Sequence, residues 1–211
     1  MEVLLVGAPK SLAESYLNLI EMADLEPAAI EPDAFGLARA LVAAATAAVV
    51  VLNIGANSTD LTIVYKGSPR LIRSIPIGGE ILVKTVAQNL NLEHEQASQF
   101  LYKFGLAEGK LEGQVLKAIK NSIEILTNEL DKSNKFFVSR YKNVKVEKIV
   151  ITGGSSQLPE LPSFLANCTG LPVEIGNSWS TISYVPGLQD QLLNVSNLFS
   201  VAAGLAIRGM V

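Results

Sequence analysis

The stretch Val49-Val50-Val51-Leu52-Asn53-Ile54-Gly55-Ala56-Asn57-Ser58-Thr59-Asp60-Leu61-Thr62-Ile63-Val64-Tyr65 places two apolar, β-branched runs on either side of a turn of small polar residues. Val49 to Leu52 is apolar without alternation, the pattern of a strand covered on both faces, and Leu61 to Tyr65 reads as its partner. Lys66-Gly67-Ser68-Pro69 is a hairpin turn, and Arg70 to Ile77 closes a three-stranded meander that ends at Gly78-Gly79. About a hundred residues on, the buried run Lys148-Ile-Val-Ile-Thr152 leads into Gly153-Gly154-Ser155-Ser156, repeating the order of strand and glycine turn.

Working outward, helical periodicity predicts helices over about 79–90, 93–104 and 112–140. The last carries Val115, Leu116, Ile119, Ile123, Leu126 and Leu130 on one stripe. These helices read as an insertion with its own small core. A short helix over 158–167, an edge strand over 173–175 and an apolar helix over 197–208 complete the chain. Upstream, Val3 to Val6 reads as a buried strand, Ser11 with Glu14 as a capping box for a helix over 12–23, 27–32 as a short strand or turn, and 34–45 as an Ala-rich helix. Mixed strands and helices make the fold α/β with at least one sheet.

Composition narrows the class. With 211 residues, 49% hydrophobic and 18% charged, a net charge of −3 and a mean hydropathy of +0.33, the chain buries a real core, which excludes intrinsic disorder and collagen-like folds. The longest apolar run, Leu41 to Leu52, has 12 residues interrupted only by Thr46, where a helical span needs about 20, and no secretory pattern opens the sequence, so a cytosolic protein is expected. The lone Cys168 forms no internal disulfide. Residues 61–150 carry 14 basic and 9 acidic side chains, against 2 and 8 in residues 1–60. Lys132, Lys135, Arg140, Lys142, Lys145 and Lys148 read as a solvated helix end and strand edge, and a pI near 5.3 argues against nucleic acid as a partner.

The common catalytic signatures are missing. The one histidine, His94, sits in a polar run and reads as a surface residue, and neither a dinucleotide fingerprint nor a P-loop occurs; Gly78 to Thr85 comes nearest, with Val83 in place of the required glycine. What remains is the pair of glycine turns. In the first, Asn53, Gly55, Ala56, Asn57 and Ser58 let backbone N–H groups approach phosphate oxygens, with the Ser58 hydroxyl as a further donor. In the second, Gly153, Gly154, Ser155 and Ser156 present bare backbone where a planar ring or a phosphate can sit.

The order of these motifs, from NIGANSTDL through IPIGGE and IVITGGSSQLPEL to the closing NLFSVAAGLAIRG, resembles the actin-like ATPase superfamily. Within it the chain is most similar to the PilM family of type IV pilus assembly, relatives of the cell-division protein FtsA. The resemblance implies an actin-like, ribonuclease H-like lobe with a mixed sheet flanked by helices. It makes residues 1–48 a remnant of lobe I, ending in the interlobe helix, and 49–211 a complete lobe II with a helical insertion over about 80–147. It also implies ATP or ADP with Mg2+ as cofactors. By the same resemblance the first turn is the phosphate-2 loop, Gly78 and Gly79 join the site, Gly153 to Ser156 form the adenosine motif, and Glu129, Lys132 and Ser133 contribute ribose and base contacts. Glu31 or Asp33 would position the attacking water.

Two departures bear on activity. Asn53 stands where family members carry an Asp that holds the magnesium shell, keeping shape but losing charge, so any contact of Asn53 with the metal would run through water. A phosphate-1 loop, expected near the start of a complete member, is not found. A weak ATPase at most is therefore expected, since phosphoryl transfer needs charge stabilisation from both sides of a cleft. The implied role is an ATP-binding scaffold at the cytoplasmic face of the inner membrane, held there through the N-terminal cytoplasmic peptide of a PilN-like protein and the pilus assembly machinery. The helix over 34–45, if stripped of lobe I, invites self-association. An FtsA-like division protein and an active actin-fold ATPase or kinase are the alternatives.

Overall fold

The computed structural model describes residues 3, 5–42 and 47–209. They form two compact units, Met1–Asp33 and Ala34–Val211. The first unit holds the helix α1 (Lys10–Met22), none of whose residues is buried. Its start differs from the expected capping box. The residue before the helix is Pro9, with no side-chain cap; Ser11 lies inside the helix and accepts a bond from Ser15 through its carbonyl, and Glu14 pairs with Lys10. The expected strand over 3–6 is not formed at its described residues, where Val3, Leu5 and Val6 are exposed. An extended segment with no ladder partner does not hold as a strand.

The second unit is built on a five-stranded sheet of β1 (Ala48–Ile54), β2 (Thr59–Tyr65), β3 (Ser68–Ile75), β4 (Val146–Thr152) and β5 (Val173–Ile175), in spatial order β3-β2-β1-β4-β5. β1 is the centre, antiparallel to β2 and parallel to β4. Its two faces explain its unbroken apolar run. Ala48, Val50, Leu52 and Ile54 belong to one core, and Val49 and Val51 belong to a second core on the opposite face with Val64 and Val150. The β2–β3 hairpin turns on Lys66 and Gly67, both at positive φ (52° and 70°), as a two-residue type I′ turn demands. Pro69 is tolerated because β3 is an edge strand.

The large core is covered by α3 (Gly79–Leu90), α4 (His94–Phe104), α5 (Gln114–Arg140) and α6 (Leu161–Thr169). The expected separate core for the inserted helices is not found. Leu82, Val83 and Val86 of α3, Leu101 of α4, and Val115, Ile119, Ile123, Leu126, Leu130 and Phe137 of α5 pack in the same cluster as the sheet residues. An apolar sheet face needs a cover, and these stripes supply it. At the far end of α5, Phe137 and Tyr141 meet the Tyr65 ring of β2 edge-on.

The opposite face takes α2 (Asp33–Leu41), whose Leu37 and Ala38 pack with Val42, Val49, Val51 and Val150. The helix expected over 34–45 therefore has neighbours within the second unit; residues 43–45 lie outside the described residues. The chain closes with α7 (Gln189–Val195) and α8 (Ser200–Ala206), the first of which the sequence reading missed. The apolar stretch expected as one helix over 197–208 begins as a 3-10 turn, Ser196–Leu198, before α8.

Candidate functional site

Three glycine turns, after β1, β3 and β4, meet at one end of the sheet. The antiparallel β1–β2 turn brings Gly55 to Ser58 there, and the parallel pairing of β1 with β4 delivers Gly153 beside it. Contact distances show how tight the meeting is. A Cβ on Gly153 would lie 2.5 Å from the Ile54 carbonyl oxygen and 2.7 Å from Asn53 Oδ1; on Gly78, 2.4 Å from the Ala56 carbonyl oxygen; on Gly79, 2.6 Å from Ser155 Oγ. At Gly78 and Gly153 the opposing atoms are backbone, so no L side chain fits there, and Gly153 also sits at φ +88°; at Gly79 the opposing atoms are the Ser155 and Tyr102 hydroxyls.

The first turn closes on itself and on α3. Gly55 N–H donates to the Ser58 carbonyl at 2.9 Å, while Gly79 N–H and Glu80 N–H donate to the Gly55 and Ala56 carbonyls at 2.9 and 2.8 Å. The amides at the start of α3 are thus spent on holding the turn. Thr59 Oγ1 adds a bond to the Ile77 carbonyl at 2.7 Å. Ala56 and Asn57 are left exposed, Asn53, Gly55 and Ser58 half-buried, and Gly78 and Gly79 buried.

In the second turn Gly154 is exposed, and Gly153, Ser155 and Ser156 are buried. The Ser155 hydroxyl lies 3.2 Å from the Tyr102 hydroxyl of α4, either one donating. Ser156 Oγ donates to the Gly153 carbonyl at 2.7 Å and accepts from Asn197 Nδ2 at 3.0 Å. Both serine hydroxyls shape the turn, and Gly154 offers its open face. Sequence reasoning missed Tyr102, for which neither spacing nor a motif gave any signal, and quoted Asn197 only as the first residue of the closing NLFSVAAGLAIRG stretch, without a role.

The remaining sequence candidates are described by their own contacts. Glu129 of α5 accepts from Lys132 Nζ at 2.7 Å and from Arg73 of β3, and Ser133 Oγ donates to the Glu129 carbonyl at 2.7 Å. The bonds of these side chains run to β3 and along α5. The Lys132 and Arg73 hydrogen bonds hold the Glu129 carboxyl below its usual value. Glu31 and Asp33 belong to the first compact unit; both are half-buried, and Asp33 stands in the first turn of α2, where the helix dipole favours a carboxylate. Among the described residues no three His, Cys, Asp or Glu side chains converge as a metal cluster, and no helix is long and apolar enough to cross a membrane.

Sequence comparison supplies the family. The profile described as "Type IV pilus assembly protein PilM" matches residues 1–210. The chain belongs to the PilM family. Among solved structures, the chain of a PilM-PilN type IV pilus biogenesis complex is 27% identical and superposes with a TM-score of 0.74 over 94% of this chain and 58% of that one. The cell division protein FtsA of Pseudomonas aeruginosa is 25% identical over 181 residues, covering 77% of this chain and 42% of FtsA. MreB 5 of Spiroplasma citri bound to AMPPNP, at 15% identity, shares the fold with a TM-score of 0.72 over 97% of this chain and 66% of its own. The PilM-family chain therefore has the actin-like α/β fold and spans about half the length of the relatives it matches.

Proposed function

We propose that this chain is the nucleotide-binding part of an actin-like scaffold for type IV pilus assembly, working by binding ATP or ADP and not by turning it over. The observation that carries this reading is the convergence of the three glycine turns, with Gly154, Ala56 and Asn57 exposed around it. Gly154 has room on its open side, the nearest atom to an added Cβ being Leu198 Cδ2 at 3.9 Å, so a planar ring can lie against bare backbone there. Gly55, Ala56, Asn57 and Ser58 would face the phosphates. Bound Mg2+ would supply charge neutralisation at the phosphates, reached from Asn53 only through water, because an amide oxygen carries no charge to hold the ion directly. Glu31 and Asp33 are assigned the acids near the attacking water, and Glu129 and Lys132 ribose and base contacts.

Residues 1–48 are assigned to the end of lobe I and 49–211 to lobe II, with the helical region over about 80–147 as its insertion. The partner is the N-terminal cytoplasmic peptide of a PilN-like inner-membrane protein, a reading supported by the likeness to the PilM-PilN complex. It would hold the chain at the cytoplasmic face of the inner membrane. The test is calorimetric titration with ATP and Mg2+, repeated on Gly154→Val. Saturable binding that Gly154→Val removes while its unfolding midpoint stays unchanged supports the reading. A folded wild-type chain that binds no ATP overturns it.

A further inference from the structure

The Gly153–Gly154 turn is held by one buried amide from the far end of the chain. Asn197 lies in the 3-10 turn before α8, is 3% exposed, and is 44 residues from Gly153. Its Nδ2 donates to the Gly153 carbonyl at 2.8 Å and to Ser156 Oγ at 3.0 Å, and its Oδ1 accepts from Gln157 Nε2 at 3.0 Å. Its own carbonyl accepts from Gly153 N–H at 2.9 Å and from Thr152 Oγ1 at 2.9 Å. Both backbone polar groups of Gly153 therefore bond to Asn197, the carbonyl also accepting from Ser156, and both N–H donors of the Asn197 amide are used. At φ +88° Gly153 lies outside the strand ladder, so these bonds set where the chain goes next.

Behind Asn197 a second set of buried hydroxyls does a different job. Thr152 Oγ1 and Ser200 Oγ are 2.6 Å apart, Ser200 and Ser178 hydroxyls 2.7 Å, and Ser178 Oγ donates to the Ser196 carbonyl at 2.5 Å. This chain seats the 3-10 segment, and within it Ser178 makes no bond to the glycine turn. The two roles are therefore separable by mutation.

We infer that Asn197 is a positioning residue of the candidate nucleotide site, acting through Gly153 to fix the place of the exposed Gly154. The inference rests on the nucleotide-binding reading for its functional meaning, but its structural half stands without ligand. Amide hydrogen exchange is measured at Gly153 and Gly154 in the nucleotide-free chain, and affinity for a fluorescent ATP analogue with Mg2+ is measured in parallel. The wild type is compared with Asn197→Ala and with Ser178→Ala.

Asn197→Ala is expected to speed exchange at Gly153 and to weaken nucleotide binding by about tenfold, the scale of one or two buried hydrogen bonds. Ser178→Ala, which removes one seating bond of the segment and none of the bonds to the glycine turn, is expected to move both readouts clearly less than Asn197→Ala does. Unchanged exchange at Gly153 and Gly154 in Asn197→Ala overturns the inference. Equal loss of affinity in both variants overturns it too, since that is what a general loss of stability would produce. If Asn197→Ala does not fold, Asn197→Asp, which keeps the volume and removes the donors, is read by the same criteria. A wild-type chain that binds no nucleotide defeats the function reading alone, and the exchange data then decide whether Asn197 sets the turn.

Discussion

Gly36 of α2 and Gly204 of α8 cross in backbone contact: a Cβ on Gly204 would stand 1.9 Å from the Gly36 carbonyl oxygen. Arg39 of α2 donates to the Gly204 carbonyl across the same crossing, and Leu205 packs against Gly36. The absence of a side chain at Gly204 thus sets how closely the closing helix lies on α2, and α2 in turn covers the second face of the sheet.

Gly204→Ala is expected to destabilise the protein by about 2 kcal/mol or more, because the opposing atom is backbone and the helices must separate. Gly7→Ala, with nothing within 4 Å of the new Cβ, serves as the neutral control. Urea midpoints of the two variants decide it; equal midpoints would mean that the helix crossing yields freely.

Gly153 and Gly154 are expected to part company. Gly153→Ala meets the Ile54 carbonyl at 2.5 Å and a φ of +88°, and should unfold the turn with a cost of about 3 kcal/mol or more. Gly154→Ala, with its nearest neighbour at 3.9 Å, should leave thermal stability within about 0.5 kcal/mol of wild type. A double substitution at this turn would confuse loss of fold with loss of binding, which is why the single Gly154 change is the probe of function.

The β2–β3 hairpin predicts a gain as well as a loss. Lys66 occupies a positive φ that Asn accepts more readily, so Lys66→Asn should stabilise by about 0.5 kcal/mol. Gly67→Ala should destabilise by about 1 kcal/mol, since φ is +70° there. Thermal unfolding of both variants gives the two signs, and the same sign for both would refute the turn assignment.

Acid should act through Glu129. Its carboxyl lies below its usual value because Lys132 and Arg73 stabilise the charged form. A group lowered in the folded state contributes stability that is present above its unfolded value of 4.5 and is lost as pH falls through the folded one. Glu129→Gln should therefore flatten the acid side of the stability curve and leave the slope above pH 7 unchanged. Denaturation midpoints of both proteins across the acid range measure this, and parallel curves would show that Glu129 does not contribute.

Restoring a carboxylate at the head of the first turn should tighten the metal dependence of nucleotide binding. Asn53→Asp is expected to raise the ratio of affinities with and without Mg2+ by about tenfold, because magnesium prefers anionic oxygen. Titrations with Mg2+ and with EDTA give that ratio, and no change would place the metal away from residue 53.

Most elements of the second unit, and their order along the chain, are legible in the amino-acid sequence alone. The unbroken Val-rich run of β1, the meander that follows, α3 over Gly79–Leu90 and β5 over Val173–Ile175 were all legible, because strand and helix follow from local propensity, periodicity and glycine punctuation. The glycine turns were legible for the same reason, since each follows a strand. What those turns meet is set by the folding of distant segments onto one another. The strand order brings Gly153 against Asn53, α4 brings the Tyr102 hydroxyl to Ser155, and the closing segment brings Asn197 to Gly153. A single Tyr or Asn has no periodic signature, and its partner is chosen by sheet topology and helix packing. The same reason explains why Val3, Leu5 and Val6 form no strand and why α3 to α5 share the sheet's core. An apolar run states that a face must be covered, and only the folded chain decides by what.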